Sequence, residues 1–243
     1  EYLPSDFLSV PDGISLTEFY DLLELKSSIS NADRTLQQKF CDLMSSWEVF
    51  DHHRWIVDWA QRSGRPILTT NFEHTLAEAG RCSLQRTTSS GFTDYYPWET
   101  YFGHESLDDP ASGFGIWHIN GMQHYSRSIR LGLSHYMGSV ERARGLLHKG
   151  NERRLFSGKN QRLWSGSGSW LHVVFNCPLL IFGLTLDENE VFFRWLLIER
   201  ARYFKKFPER EKPAWYVYAG RVNNGGKQFF LEGVGVTPQH VND

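Results

Sequence analysis

Between positions 15 and 62 apolar residues recur at helical spacing in three stretches. Leu16, Phe19, Leu22, Leu23 and Leu25 follow Ser15. From about Asp33, Leu36, Phe40, Leu43, Met44 and Trp47 form a second stripe. A third stretch, with Asp51 placed to cap it, carries Trp55, Ile56 and Trp59 before Gly64 and Pro66. Residues three and four apart share a helix face, so three amphipathic helices are predicted. The period then changes. Pro66 to Thr69 reads as a short buried strand, Asn71 follows it, and a helix through Phe72, Leu76 and Ala79 stops at Gly80. Cys82 to Gln85 reads as a second short strand.

Residues 87 to 114 have loop composition on both sides of an aromatic stretch and predict a long surface excursion. Gly115 to Ile119 reads as a buried strand, Ser139 to His148 as a helix, and residues 150 to 169 as polar, glycine-containing loop. Leu179 to Phe182 is the clearest strand, followed by a long helix to about Lys206, with Asp187 and Glu190 spaced as a capping box. Trp215 to Tyr218 and Gln228 to Leu231 look like antiparallel strands joined around Asn223-Asn224-Gly225-Gly226, a C-terminal β-hairpin. Parallel strands need crossovers of about a dozen residues, so strands alternating with helices predict an α/β fold with a mainly parallel sheet and helices on both faces. A single domain spanning 1–243 is expected, mostly helical over 1–62, with an α/β core and insertions over 63–243.

Composition narrows the class. The chain has 243 residues, is 40% hydrophobic and 15% aromatic, and carries 26 basic against 28 acidic residues for a net charge of −2. That ring content excludes a disordered tail, and the balanced charge supplies no global field for nucleic acid or an anionic membrane. The longest apolar runs, Pro178–Phe182 and Val191–Ile198, fall far short of the ~20 residues of a membrane span. Three separated cysteines, Cys41, Cys82 and Cys177, indicate neither a disulfide framework nor a cysteine zinc site and favour a reducing cytoplasm. No H-E-x-x-H is present and His52-His53 and His118–His124 lack a nearby carboxylate pattern, so no metal is expected.

In open α/β sheets ligands sit beyond the carboxyl ends of the strands, which singles out three junctions. At Thr69-Thr70-Asn71, two hydroxyls and an amide can hold a sugar hydroxyl or orient a water; the structural alternative is that Asn71 caps the next helix. At Trp117-His118-Ile119-Asn120-Gly121, alternation places His118 and Asn120 on one face; the alternative is a satisfied core histidine. At Gly183-Leu184-Thr185-Leu186-Asp187-Glu188, a glycine permits close backbone approach and Thr185 can meet an anion or ribose; the alternative is a turn with Asp187 as cap. Ser165-Gly166-Ser167-Gly168-Ser169 lacks the lysine of a phosphate loop and reads as flexible loop. Phe192, Trp195, Leu196, Glu199 and Tyr203 read as helix core, and the tract Arg200, Arg202, Lys205, Lys206, Arg210, Lys212 as a solvated face.

Taken in order, T-T-N-F-E, W-H-I-N-G, Ser128-Ile129-Arg130-Leu131-Gly132, His135-Tyr136 and I-F-G-L-T-L-D-E-N-E resemble the sirtuin-like family of bacterial NAD-consuming proteins over roughly residues 35 to 240. The resemblance implies a Rossmann-like sheet and hydrolysis of NAD to nicotinamide and ADP-ribose in antiphage defence. It matches Asn71 to the catalytic asparagine and implies His118 as a provisional base beside Asn120. Thr69, Thr70, Gly121, Gly183, Thr185, Asp187 and Glu188 would contact NAD, which is the substrate. A regulatory protein or a second copy is the other partner class implied; nucleic acid enters only indirectly.

Two positions depart from that family. Asn120 stands where a histidine normally precedes the glycine, leaving His118 or His124 to act as base, and no glycine-rich phosphate loop precedes Asp12-Gly13-Ile14-Ser15. Pro11 and the short polar run before it make a poor strand, so either the chain is truncated or it binds the dinucleotide differently. A catalytically silent nucleotide-binding or scaffold protein is therefore the rival reading. An NAD-dependent deacylase is disfavoured because the four zinc cysteines are absent.

Overall fold

The computed structural model describes residues 10–27, 35–87, 97–187, 190–219 and 225–241. Asp33, residues 88–96, Glu188, Asn223 and Asn224, which figure in the expectations above, lie outside the described residues. In chain order the elements are α1 (Leu16–Ser27), α2 (Leu36–Met44), α3 (Asp51–Ser63), β1 (Ile67–Thr69), α4 (Thr75–Ala79), β2 (Ser83–Arg86), β3 (Thr100–Gly103), β4 (Ile116–His118), α5 (Leu133–His148), α6 (Leu171–Asn176), β5 (Leu179–Ile181), α7 (Val191–Lys206), β6 (Ala214–Ala219), α8 (Gly225–Gly233) and β7 (Thr237–Val241), with short 3-10 turns between some of them. The three N-terminal helices follow the apolar stripes. Thr35 caps α2 by accepting from the Gln38 N–H, and the Gln38 side chain accepts from the Thr35 N–H in return. Gly64 ends α3 in the left-handed conformation that glycine adopts without cost.

The strands form two sheets, one of four strands in the order β1-β4-β3-β2 and one of three in the order β5-β6-β7. β1 pairs parallel with β4, whereas β3 pairs antiparallel with both β2 and β4. The second sheet is parallel throughout. The architecture is thus mixed α/β, with an antiparallel half that the pattern did not predict. Its source is β3, whose four residues are all buried inside the stretch expected to be a surface excursion. A polar neighbourhood marks a loop only until tertiary packing covers the strand within it.

The C-terminus also differs from expectation. Gln228 to Leu231 lies in helix α8, and β7 follows it to pair parallel with β6, so the segment is a strand-helix-strand crossover rather than a hairpin. Glycines at 225 and 226 suggested a turn but sit at the start of the helix, where Leu231 and, just beyond it, Val234 and Val236 reach the main core. At α7 the first helical residue is Val191, and Asp187 is bound by Thr185 rather than capping the helix.

Two apolar clusters sandwich the first sheet. Ile116 packs in one cluster with Val57 of α3, Leu76 of α4 and Phe102 of β3. Trp117, its neighbour on β4, packs in the larger cluster with Leu147 of α5, Leu171 of α6 and Leu196 of α7. Successive strand residues face opposite ways, so this strand needs apolar groups at consecutive positions. Phe192, Leu196, Glu199 and Tyr203 are buried along α7 as expected. Arg200, expected on a solvated face, is instead 1% exposed. Its guanidinium donates to the carbonyls of Val174, Cys177, Lys212 and Pro213, tying the end of α6 to the starts of β5 and β6. Burial pulls its pKa down to about 10, so it stays charged at neutral pH.

Candidate functional site

β1 delivers Thr69, Thr70 and Asn71 to its carboxyl end, where a local network holds them. Thr69 Oγ1 accepts the Asn71 N–H at 3.1 Å, Asn71 Nδ2 donates to Glu73 Oε1 at 3.1 Å, and Thr75 Oγ1 donates to the same oxygen at 3.0 Å. His74, not Asn71, stands at the start of α4 and makes no side-chain cap. Asn71 is exposed and Glu73 is buried behind it. Sequence reasoning quoted Glu73 within the T-N-F-E motif but gave it no role. Its signal is the two-residue spacing on each side, which lets one carboxylate collect an amide and a hydroxyl.

The parallel pairing of Thr69 with His118 sets the second junction beside the first. His118 Nδ1 lies 2.8 Å from the Asn71 carbonyl oxygen. The ring is only 1% exposed, and it packs edge-on against His74 and Phe102. Burial pushes the pKa of His118 down to about 4, partly offset by its bond to Asn71. His74 is held at about 4 as well, first by burial and then by the neighbouring histidines. Asn120, 4% exposed, donates from Nδ2 to the Thr70 carbonyl at 3.4 Å, while its Oδ1 is buried with no partner among the described residues. Gly121 has φ +102, and a Cβ there would fall 2.1 Å from the Ser128 carbonyl oxygen, so its glycine serves the turn that returns the chain toward α5.

A cavity of about 920 Å³ opens between the two sheets. Thr69, Thr70, Asn71 and Gly183 all line it, which joins the first and third junctions. His118, Asn120 and Gly121 do not line it; His118 and Asn120 support its wall through Asn71 and Thr70. Thr185 and Asp187 are also outside the lining, and Thr185 Oγ1 donates to Asp187 Oδ2 at 3.2 Å. Glu188 lies outside the described residues. Gly183 has φ +67 and open space around its α-carbon, so a ligand can approach the backbone there. Across the cavity stand His52, His53 and Trp59 of α3, which the motif reading missed. They come from a helix far upstream, and only packing brings them in. The His53 ring accepts the Phe50 N–H at 3.0 Å and feels the Glu73 carboxylate, but burial and the adjacent His52 still lower its pKa.

The arrangement is a largely apolar cleft with a neutral polar end, built from a threonine pair, an amide and an exposed glycine backbone. Comparison with family models, curated proteins and solved structures returned no match for the chain. Among the described residues no group of three or more histidine, cysteine or carboxylate side chains is placed to hold a metal ion, and no helix is long and apolar enough to cross a membrane.

Proposed function

We propose that the chain is an NAD glycohydrolase of the sirtuin-like type, with a Rossmann-like core that holds NAD in the cleft between β1 and β5. The observation that carries this reading is the meeting of Asn71 and Gly183 on one cavity at the carboxyl ends of two strands that each have a parallel neighbour. Ligands of α/β sheets collect at such ends.

Hydrolysis breaks the bond between ribose and nicotinamide. The nitrogen leaves with the bonding pair, a water oxygen bonds to the ribose carbon, and the water's proton passes to solvent. Positive charge builds on the ribose during the step. The Asn71 oxygen accepts from the water or a ribose hydroxyl, and Glu73 fixes that amide from behind. His118 is a positioning residue here, since it holds the Asn71 backbone from outside the cavity. General-base catalysis contributes about 10²–10⁴-fold, and His118, buried outside the cavity, is not placed to supply it.

A silent nucleotide-binding protein is the second reading, favoured by Asn120 in place of the family's histidine and by the burial of His118. Incubation with NAD separates the readings. Free nicotinamide and ADP-ribose support hydrolysis, acylated ADP-ribose in the presence of an acylated peptide indicates deacylation, and unchanged NAD that still raises the melting temperature indicates silent binding.

A further inference from the structure

A second cavity, of about 520 Å³, lies on α5 and shares no residue with the cleft between the sheets. Met137, Val140, Glu141, Arg144, His148 and Lys149 line it. Met137, Val140, Arg144 and His148 recur at steps of three and four and so form one stripe along the helix, with Glu141 beside Val140 and Lys149 at the C-terminal cap. The stripe is graded. A thioether and an isopropyl group stand at one end and three basic side chains at the other.

The basic end is built on a buried carboxylate. Glu199 of α7 is 3% exposed, in a helix stripe that otherwise buries mainly apolar groups, and a carboxylate is tolerated there only when its oxygens are paired. Oε1 accepts from Arg202 Nη1 at 2.5 Å and Oε2 from His148 Nε2 at 2.6 Å. Nε2 therefore carries a hydrogen, and Nδ1 is the remaining polar atom of the ring. Phe156 packs on that ring with centroids 4.2 Å apart, and its carbonyl accepts from Lys206 of α7 at 2.8 Å. Arg202 and Lys206, read in the sequence as part of a solvated face, thus help to fix His148, whose side chain stays 35% exposed. The Arg144 and Lys149 side chains make no hydrogen bond or ion pair among the described residues. Cations in a last helical turn commonly answer the helix macrodipole. Here Arg154 already donates to the His148 carbonyl at 3.4 Å, Arg144 stands a turn further back, and all three basic groups line one cavity.

We propose that this cavity binds a small phosphate monoester, with the phosphate among Arg144, His148 and Lys149 and the apolar body of the ligand against Met137 and Val140. Phosphate oxygens are acceptors that bind best to charged donors, and a guanidinium, an ammonium and an imidazole held by a carboxylate supply them from different directions. Glu141 accepts from a hydroxyl or amino group of the same ligand. Its negative charge beside the stripe opposes a long polyanion, so a single phosphate group suits the cavity and a nucleic-acid strand does not. The site shares no residue with the cleft, so it does not rest on NAD hydrolysis.

The chain has three methionines, and Met44 and Met122 are buried whereas Met137 is exposed. Protein labelled with carbon-13 in the methionine methyl groups gives one signal for each, and Met137→Leu identifies the reporter. Phenyl phosphate is expected to move the Met137 signal saturably at millimolar concentration while those of Met44 and Met122 stay in place. Inorganic phosphate should compete with it, and phenol should give no saturable shift. Arg144→Gln and Lys149→Gln should each weaken phenyl phosphate about tenfold, as the loss of one charge-assisted hydrogen bond does. Both side chains are exposed, so the core does not depend on either. Unchanged affinity in both variants overturns the proposal, as does a phenol response equal to that of phenyl phosphate, which would make the cavity a merely apolar pocket. The absence of a shift with phenyl phosphate also overturns it, and a Met137 shift with a single-stranded RNA oligonucleotide instead would assign the face to nucleic acid.

Discussion

His118 Nδ1 and the Asn71 carbonyl oxygen are 2.8 Å apart, and because a carbonyl only accepts, the neutral ring carries its proton on Nδ1. The lone pair is on Nε2, which is buried with no partner among the described residues. This one bond links the ends of β1 and β4 and fixes the backbone at the polar end of the cleft.

Stability is expected to fall in acid because of this buried ring. The folded-state pKa of His118 is about 4, below the ordinary histidine value of about 6.5. The unfolded chain then binds more protons between these values, so stability is complete above about pH 6.5 and is lost as pH falls toward 4, by roughly 3 kcal/mol for a full shift of this size. Thermal melts from pH 8 to pH 4 should show the loss, and His118→Gln, which keeps a donor but does not titrate, should flatten the profile. An unchanged profile would place the acid sensitivity elsewhere, with His74 the next group to test.

Asn71→Ala is expected to abolish nicotinamide release while leaving the protein folded. Its side chain is exposed and bonds Glu73, so the stability cost is that of one hydrogen bond, about 0.5–1.5 kcal/mol. Chromatography of reaction products and a denaturant midpoint measure the two effects separately. Turnover that survives in the folded variant removes Asn71 from the mechanism.

Asn120→His is expected to leave NAD hydrolysis unchanged, because position 120 is buried behind the cavity wall, where a ring does not reach the ribose and burial disfavours its charged form. The larger ring enters a buried position, so a stability loss of about 1–3 kcal/mol should accompany it. A gain of rate in the folded variant, read by nicotinamide release, would show that position 120 reaches the substrate.

Gly121→Ala should destabilise the fold by about 3 kcal/mol or more, because it combines a left-handed backbone with a clash against the Ser128 carbonyl. Gly183→Ala, with open space around it, should cost only the backbone strain of about 1 kcal/mol and weaken nucleotide binding if the ligand approaches there. Urea midpoints and NAD-induced melting shifts of the two variants distinguish a turn glycine from a site glycine.

Hydrophobic periodicity by itself determined the three N-terminal helices, the buried strands at Ile67, Ile116 and Leu179, and the inward face of α7, because each pattern is satisfied within one element. It also brought out the three junctions, since a polar cluster directly after an apolar strand is a local feature. Tertiary structure alone decided the rest. Gln228 to Leu231 became helix because Leu231 had a core to reach, and Thr100 to Gly103 became a buried antiparallel strand because neighbours covered it on both faces. Arg200 turned inward because four carbonyls, two at the end of α6 and two just before β6, converge on it. His118, Asn120 and Gly121 moved behind the cavity wall, while His52, His53 and Trp59 came to face it, because which groups share a cleft depends on contacts between residues far apart in the chain, and no local period records those.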